Sequence, residues 1–271
     1  MARAGIRACA PDVLVARALQ LPPLRKGSVP SLGDRALGWG QTLYPGTELA
    51  VVAAGKAMEG MVQGARTLLG RGVVVGPRRI EDGLPPSIQS IAGGHPSPNA
   101  GSEEAGRKAL ALAESLSPDD TLLVLLSGGA SALMEAPAEG VTLDDMRATA
   151  DRLMRESADI HALNTVRKHL SQIKGGWLAA RTKATTIALA ISDVVGDDPS
   201  VIASGPTVPD ASTFADALGC LKRFGGESVY PAPVVARLER GVAGEIPETP
   251  KPGDPRLARA TTTVIGSRRD A

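Results

Sequence analysis

Residues able to do chemistry fall at four places in this chain, and each stands just after a short apolar run. Lys56 follows "AVVAA" in "AAGKAM". His95 sits in "GGHPSPN", behind the weaker run "SIQSIA". Ser127, Gly128, Gly129 and Ser131 follow "TLLVL" in "LSGGASAL". Asp193, Asp197 and Asp198 follow "TTIALAI" in "ISDVVGDDPS". An ammonium at the start of a helix opposes the helix dipole unless an anion compensates it, so Lys56 is suited to pairing with phosphate oxygens. Glycines between a strand and a helix let the backbone approach an anion, and backbone N–H groups there can cradle phosphate. Ser204 and Gly205 in the later turn "ASGPT" offer further backbone donors.

Three carboxylates within six positions repel one another unless a cation sits among them, so Asp193, Asp197 and Asp198 could hold Mg²⁺. One of them could instead take a proton from a hydroxyl. For each of these stretches a plainer reading stays open at this stage: a tight glycine turn, a solvated Asp-rich turn or a surface lysine. The glycine stretch matches neither the P-loop nor the dinucleotide-binding spacing. "NTVRKHLSQIKGG" (164–176) is predicted as one helix with Val166, Leu170 and Ile173 turned inward. Arg167, Ser171 and Lys174 then share another face, where the two cations could bind a carboxylate or phosphates. His95, held between glycines and prolines, could aim its imidazole at a ligand.

The elements that would position these groups are legible in the hydropathy. "ELAVVAA", "GVVV", "TLLVLL", "TTIALAI" and "TTTVI" are short, rich in β-branched residues and apolar throughout, as strands buried on both faces are. Between them lie Ala-rich, charged stretches of helical type such as 103–116 and 143–160. Strand alternating with helix predicts an α/β, Rossmann-like three-layer sandwich around a mostly parallel sheet. In such sheets ligands bind beyond the carboxyl ends of the strands, where all four places lie. The Pro-rich "IPETPKPGDPRL" reads as a connector, which puts a domain over 1–245 and the start of a truncated second α/β domain over 246–271.

Composition narrows the function classes. Net charge is +1 and aromatics are 2% of the 271 residues, so neither a basic nucleic-acid footprint nor a base-stacking platform is present. Two cysteines, Cys9 and Cys220, form no metal spacing, which fits a reduced, cytoplasmic setting. No apolar run approaches the roughly 18 residues of a membrane span.

Taken together and in this order, "AAGKAM", "GGHPSPNAGS", "LLSGGASALM", "LNTVRKHLSQIKGG" and "ISDVVGDDPSVIASGPTVPD" resemble the glycerate 2-kinases that carry a C-terminal MOFRL-type domain, some of which are labelled hydroxypyruvate reductases. The resemblance covers most of the chain. It implies ATP-dependent phosphorylation of D-glycerate at the 2-hydroxyl, with Mg²⁺, by a protein whose partners are its substrate and nucleotide rather than nucleic acid or membrane. Homo-oligomerisation stays open. It places Lys56 and Asp193 at the family's active-site lysine and aspartate positions, and "SGGASA" as a phosphate cradle. Arg167 is then the group that would clamp the glycerate carboxylate. Ala130 stands where the family carries a third glycine or another small residue, and the family continues past Ala271 with a domain that forms one wall of the cleft. A non-catalytic truncated homologue is the alternative. An NAD(P)H-dependent reductase would need a dinucleotide fingerprint that no strand here is followed by.

Overall fold

A computed structural model describes residues 9–19, 35–37, 41–43 and 49–267. Helix α1 (Pro11–Ala18) is followed by a two-stranded antiparallel pair, β1 (Arg35–Leu37) and β2 (Gln41–Leu43). The main sheet has six strands: β3 (Leu49–Ala54), β4 (Arg71–Gly76), β5 (Ile88–Ala92), β6 (Thr121–Leu126), β7 (Thr185–Ile191) and β8 (Ala260–Gly266). Their order is β5-β4-β3-β6-β7-β8 and every neighbouring pair is parallel. From β3 the chain winds outward through β4 to β5, then returns to lay β6 on the other side of β3. That reversal is the switch point of a doubly wound sheet, and sheets of this kind bind ligands beyond the carboxyl ends of the strands there.

Alternate residues of the buried strands feed two separate cores, as the period of two demands. Val52, Val75, Leu122 and Val124 pack toward α3 (Ala100–Glu114), α4 (Ala130–Leu133) and α7 (Trp177–Ala180). Val51, Val74, Leu123 and Leu189 pack on the other face against α1 and α2 (Met58–Ala65). This is the predicted three-layer α/β sandwich. A third core had no counterpart in the sequence reading. Helices α5 (Leu143–Arg155), α6 (Ile160–His169), α8 (Phe214–Arg223) and α9 (Ala232–Val242) bury Leu153, Val166, Phe214, Leu221 and Leu238 among themselves, beside the sheet rather than on it.

Three expectations are corrected. The helical stretch 143–160 is broken after Arg155, and Ser157 takes a left-handed φ of 61° before α6 begins. Helix α6 stops at His169 instead of running to Gly175: Ser171 bridges to Pro137, and Gly175 and Gly176 turn left-handed at φ 58° and 87°. The strand expected to open a second domain after the connector is β8, which pairs in parallel with β7 and closes the edge of the same sheet.

Candidate active site

Beyond the carboxyl ends of the strands lies a cleft of about 340 Å³, within the usual range for small-ligand sites. One wall comes from the sheet: His95 after β5, Gly128, Gly129 and Ser131 after β6, and Asp193 after β7. The facing wall comes from the helical core, through Arg147, Asp151 and Met154 of α5 and Leu163, Asn164 and Arg167 of α6. Both walls thus belong to this chain.

The double glycine does two different things. At Gly128 a side chain would collide with the Asp193 carboxylate, which lies against its α-carbon. At Gly129, where φ is +87°, a Cβ would stand 2.8 Å from Cδ2 of His95 and 3.3 Å from Cε of Lys56. Lys56, His95 and Asp193 therefore come together because two successive residues lack side chains. The strand ends are drawn together in the same way: Gly55, at φ +131°, leaves room for Ser127, the Lys56 N–H donates to the Gly128 carbonyl at 2.9 Å, and the Ala57 N–H donates to Ser127 Oγ at 3.0 Å. Lys56 consequently starts from a fixed backbone although its side chain is exposed. The Asp193 backbone is aimed by Ser192, whose Oγ accepts the Val194 N–H at 3.1 Å.

His95 is held below the ordinary imidazole range, first by lost hydration and then by the Lys56 ammonium, with Asp193 pulling the other way. A neutral imidazole beside a lysine and a carboxylate can donate from one nitrogen and accept at the other. Arg167 is partly buried, and that burial lowers its pKa against the opposing pull of Glu135. No ion pair engages it among the described residues, so a cation that has lost much of its hydration faces the cleft without a carboxylate bonded to it.

Several predicted site residues stand elsewhere. Lys174 is 1% exposed and pairs with Glu135 at 2.5 Å beneath the cleft, because α6 ends before it and the helical register that set it beside Arg167 does not continue. Burial lowers its pKa, Glu135 opposing. Ser127 and Ser204 are buried and spend their hydroxyls on protein partners, and the Gly205 N–H donates to Ile202. These residues frame the site and do not line it. Asp198 accepts the Ser200 N–H at 2.8 Å and Asp197 sits in a turn at φ 53°, while only Asp193 of the three lines the cleft. Among the described residues, no three His, Cys, Asp or Glu side chains converge, so the three carboxylates do not form one metal set. Helix α4 is a single turn of four residues, so the glycine loop works through close approach rather than through a long helix dipole. Sequence reasoning passed over Asn164, one helical turn before Arg167 and on the same face, and Glu135, whose burial only the fold reveals.

A family profile described as a domain of unknown function, DUF4147, matches residues 1–239. The chain belongs to that family. It is 46% identical over 164 residues to a protein of Pyrococcus horikoshii named glycerate 2-kinase, a match spanning 60% of this chain and 37% of the relative. A crystal structure of a Pyrococcus horikoshii protein superposes with a TM-score of 0.85 at 35% identity, over 98% of this chain and 58% of that one. The crystal structure of a glycerate kinase from Thermotoga maritima gives 0.79 at 34% identity, over 99% and 57%. The chain spans less than half the length of the curated relatives it matches. Among the described residues, no helix is long and apolar enough to cross a membrane.

Proposed function

We propose that this chain carries the phosphoryl-transfer site of a D-glycerate 2-kinase, taking ATP as donor and yielding 2-phosphoglycerate. The observation that carries the reading is the convergence of Lys56, His95 and Asp193 on Gly128–Gly129, beside a cleft lined by His95, Asp193 and an Arg167 that has no carboxylate bonded to it. The names of the relatives point the same way.

Phosphoryl transfer asks little covalent chemistry of a protein, and its rate comes from positioning and charge. Arg167 holds the glycerate carboxylate, where its planar fork suits bidentate pairing. Asp193 accepts the proton of the 2-hydroxyl as that oxygen bonds to phosphorus and the bond to the ADP oxygen breaks. Lys56 offsets charge on the phosphoryl oxygens in flight, and neutral His95 orients the groups beside it. Gly128 and Gly129 bring backbone close enough to contact phosphate.

Mg²⁺ needs only one or two protein carboxylates when nucleotide phosphates and waters complete its shell, and an exposed Asp193 at the rim of the cleft fits that demand. Asp193 would hold the ion, which when bound neutralises phosphate charge.

The test is incubation of the 271-residue chain with ATP, Mg²⁺ and D-glycerate, with phosphoglycerate isomers resolved by chromatography and mass spectrometry. Formation of 2-phosphoglycerate is expected. A folded chain that makes no phosphoglycerate would remove the proposal.

A further inference from the structure

One hydroxyl in the cleft has its hydrogen-bond polarity settled by buried neighbours. Asn164 Nδ2 donates to the Val201 carbonyl at 3.4 Å, and since a carbonyl only accepts, the amide cannot be turned the other way without setting oxygen against oxygen. Its Oδ1 therefore faces Ser204, whose Oγ donates to it at 2.9 Å. That uses the only proton Ser204 Oγ has. Ser131 Oγ lies 2.8 Å from Ser204 Oγ, so Ser131 must be the donor in that pair. Asn164 and Ser204 are 3% and 0% exposed, which shuts out water as an alternative partner, whereas Ser131 lines the cleft. The chain Val201–Asn164–Ser204–Ser131 consequently ends in an oxygen that shows the cleft lone pairs and no proton.

Such an oxygen repels a phosphate or carboxylate and accepts from a hydroxyl. Residues 203 to 205 are all left-handed, at φ 53°, 59° and 62°, and two of them, Ala203 and Ser204, are not glycine. Backbone held in that region persists only where its surroundings demand it, and here it is the turn that delivers Ser204.

Building on the kinase reading of this cleft, we infer that Ser131 is a specificity-determining residue that accepts a hydrogen bond from the non-reacting 3-hydroxyl of the three-carbon acid. Asn164, which anchors the relay, and Arg167 are three residues apart on α6, about 4.5 Å of helical rise, and Ser131 and Arg167 both line the cleft, so the hydroxyl acceptor and the carboxylate-binding cation share one cavity. A cleft of about 340 Å³ has room for a short 2,3-dihydroxy acid. Ser131 thereby leaves the set of phosphate-cradling residues expected from the sequence.

Calorimetric titration of the wild-type chain with D-glycerate and with D-lactate, which lacks only the 3-hydroxyl, tests this. D-glycerate is expected to bind about tenfold more tightly, the order of one hydroxyl hydrogen bond. Ser131→Ala should erase that difference by weakening D-glycerate while D-lactate affinity holds. Equal affinity of the wild type for the two acids, a preference that survives in Ser131→Ala, or no binding of either acid overturns the inference. Turnover is measured separately: a Ser131-dependent preference without phosphoglycerate formation upholds this inference and sinks the kinase reading.

Discussion

The carboxylate of Asp193 occupies the space where Gly128 would carry a side chain. The two residues come from neighbouring strands, β6 and β7, and the contact is possible only because the chain leaves β6 through a residue with no Cβ. Gly128→Ala should therefore displace Asp193 rather than unfold the protein, since the atom it meets is the far end of an exposed side chain. Phosphoryl transfer is expected to fall about 10²-fold, the usual consequence of misplacing a reacting group by about an ångström, with little change in thermal unfolding. Full turnover in Gly128→Ala would show that the placement of Asp193 against this glycine does not matter.

Gly129→Ala should behave differently. There φ is +87°, so alanine strains the backbone as well as crowding His95 and Lys56. A stability loss of about 1–2 kcal/mol in urea unfolding is expected on top of the activity loss. Equal stability of the two alanine variants would contradict the assigned division of labour within the glycine pair.

The histidine makes a spectroscopic prediction. Lost hydration and, second, the Lys56 ammonium both disfavour imidazolium at His95. With only three histidines in the chain, its ring proton can be followed by NMR, and its midpoint should lie below the ordinary value of about 6.5. Lys56→Met removes one cause, so the midpoint should rise in that variant. The sign for stability follows: the unfolded chain binds this proton more readily than the folded one, so acidification through the ordinary imidazole range favours unfolding. The effect is small because the ring is largely exposed. A midpoint unmoved by Lys56→Met would separate the two side chains.

How far the sequence carried these arguments depended on whether a feature was local. The unbroken burial of 49–54 and 121–126, and of all but the two end residues of 185–191, is written into uninterrupted apolar runs, so the sheet and the place of Lys56, Gly128 and Asp193 at strand ends could be read directly. Residues 164–176 kept a helical pattern only through His169. Beyond it Leu170 and Ile173 are buried as predicted, but from a turn held by the Pro137 bridge and two left-handed glycines, and that non-local pairing carried Lys174 away from Arg167. The second wall of the cleft escaped notice for the same reason. Helices α5, α6, α8 and α9 are each amphipathic, but nothing local tells an amphipathic helix whether it will cover a sheet or join three others.

The displaced Lys174 makes its own prediction. It and Glu135 form a buried ion pair, with Glu135 also accepting from Ser171 Oγ at 2.7 Å. Removing one partner strands a buried charge, so Lys174→Met is expected to cost about 3–5 kcal/mol. Adding Glu135→Leu should restore much of that loss, and urea unfolding of the two single variants and the double variant measures the coupling. Strictly additive losses would mean that the two charges are not paired in solution.

Arg167 offers the sharpest separation between binding and chemistry. A guanidinium that clamps a carboxylate holds the ground state and the transition state alike, so its loss should appear in KM for D-glycerate more than in kcat. Arg167→Lys keeps the charge but gives up the planar fork, and about a tenfold rise in KM is expected. Arg167→Met gives up both, and the rise should reach about 10²-fold, the range of a charge-assisted pair. KM for ATP should stay where it is. If instead kcat fell with KM for D-glycerate unchanged, Arg167 would be acting on the phosphoryl group, and the carboxylate would need another partner. Arg147 is engaged by Asp144 and the Pro98 carbonyl and Lys174 by Glu135, so neither is free to take its place. The carboxylate would then have to be held by Lys56, next to the transferring phosphate, and Lys56→Ala would raise KM for D-glycerate as well as lowering kcat.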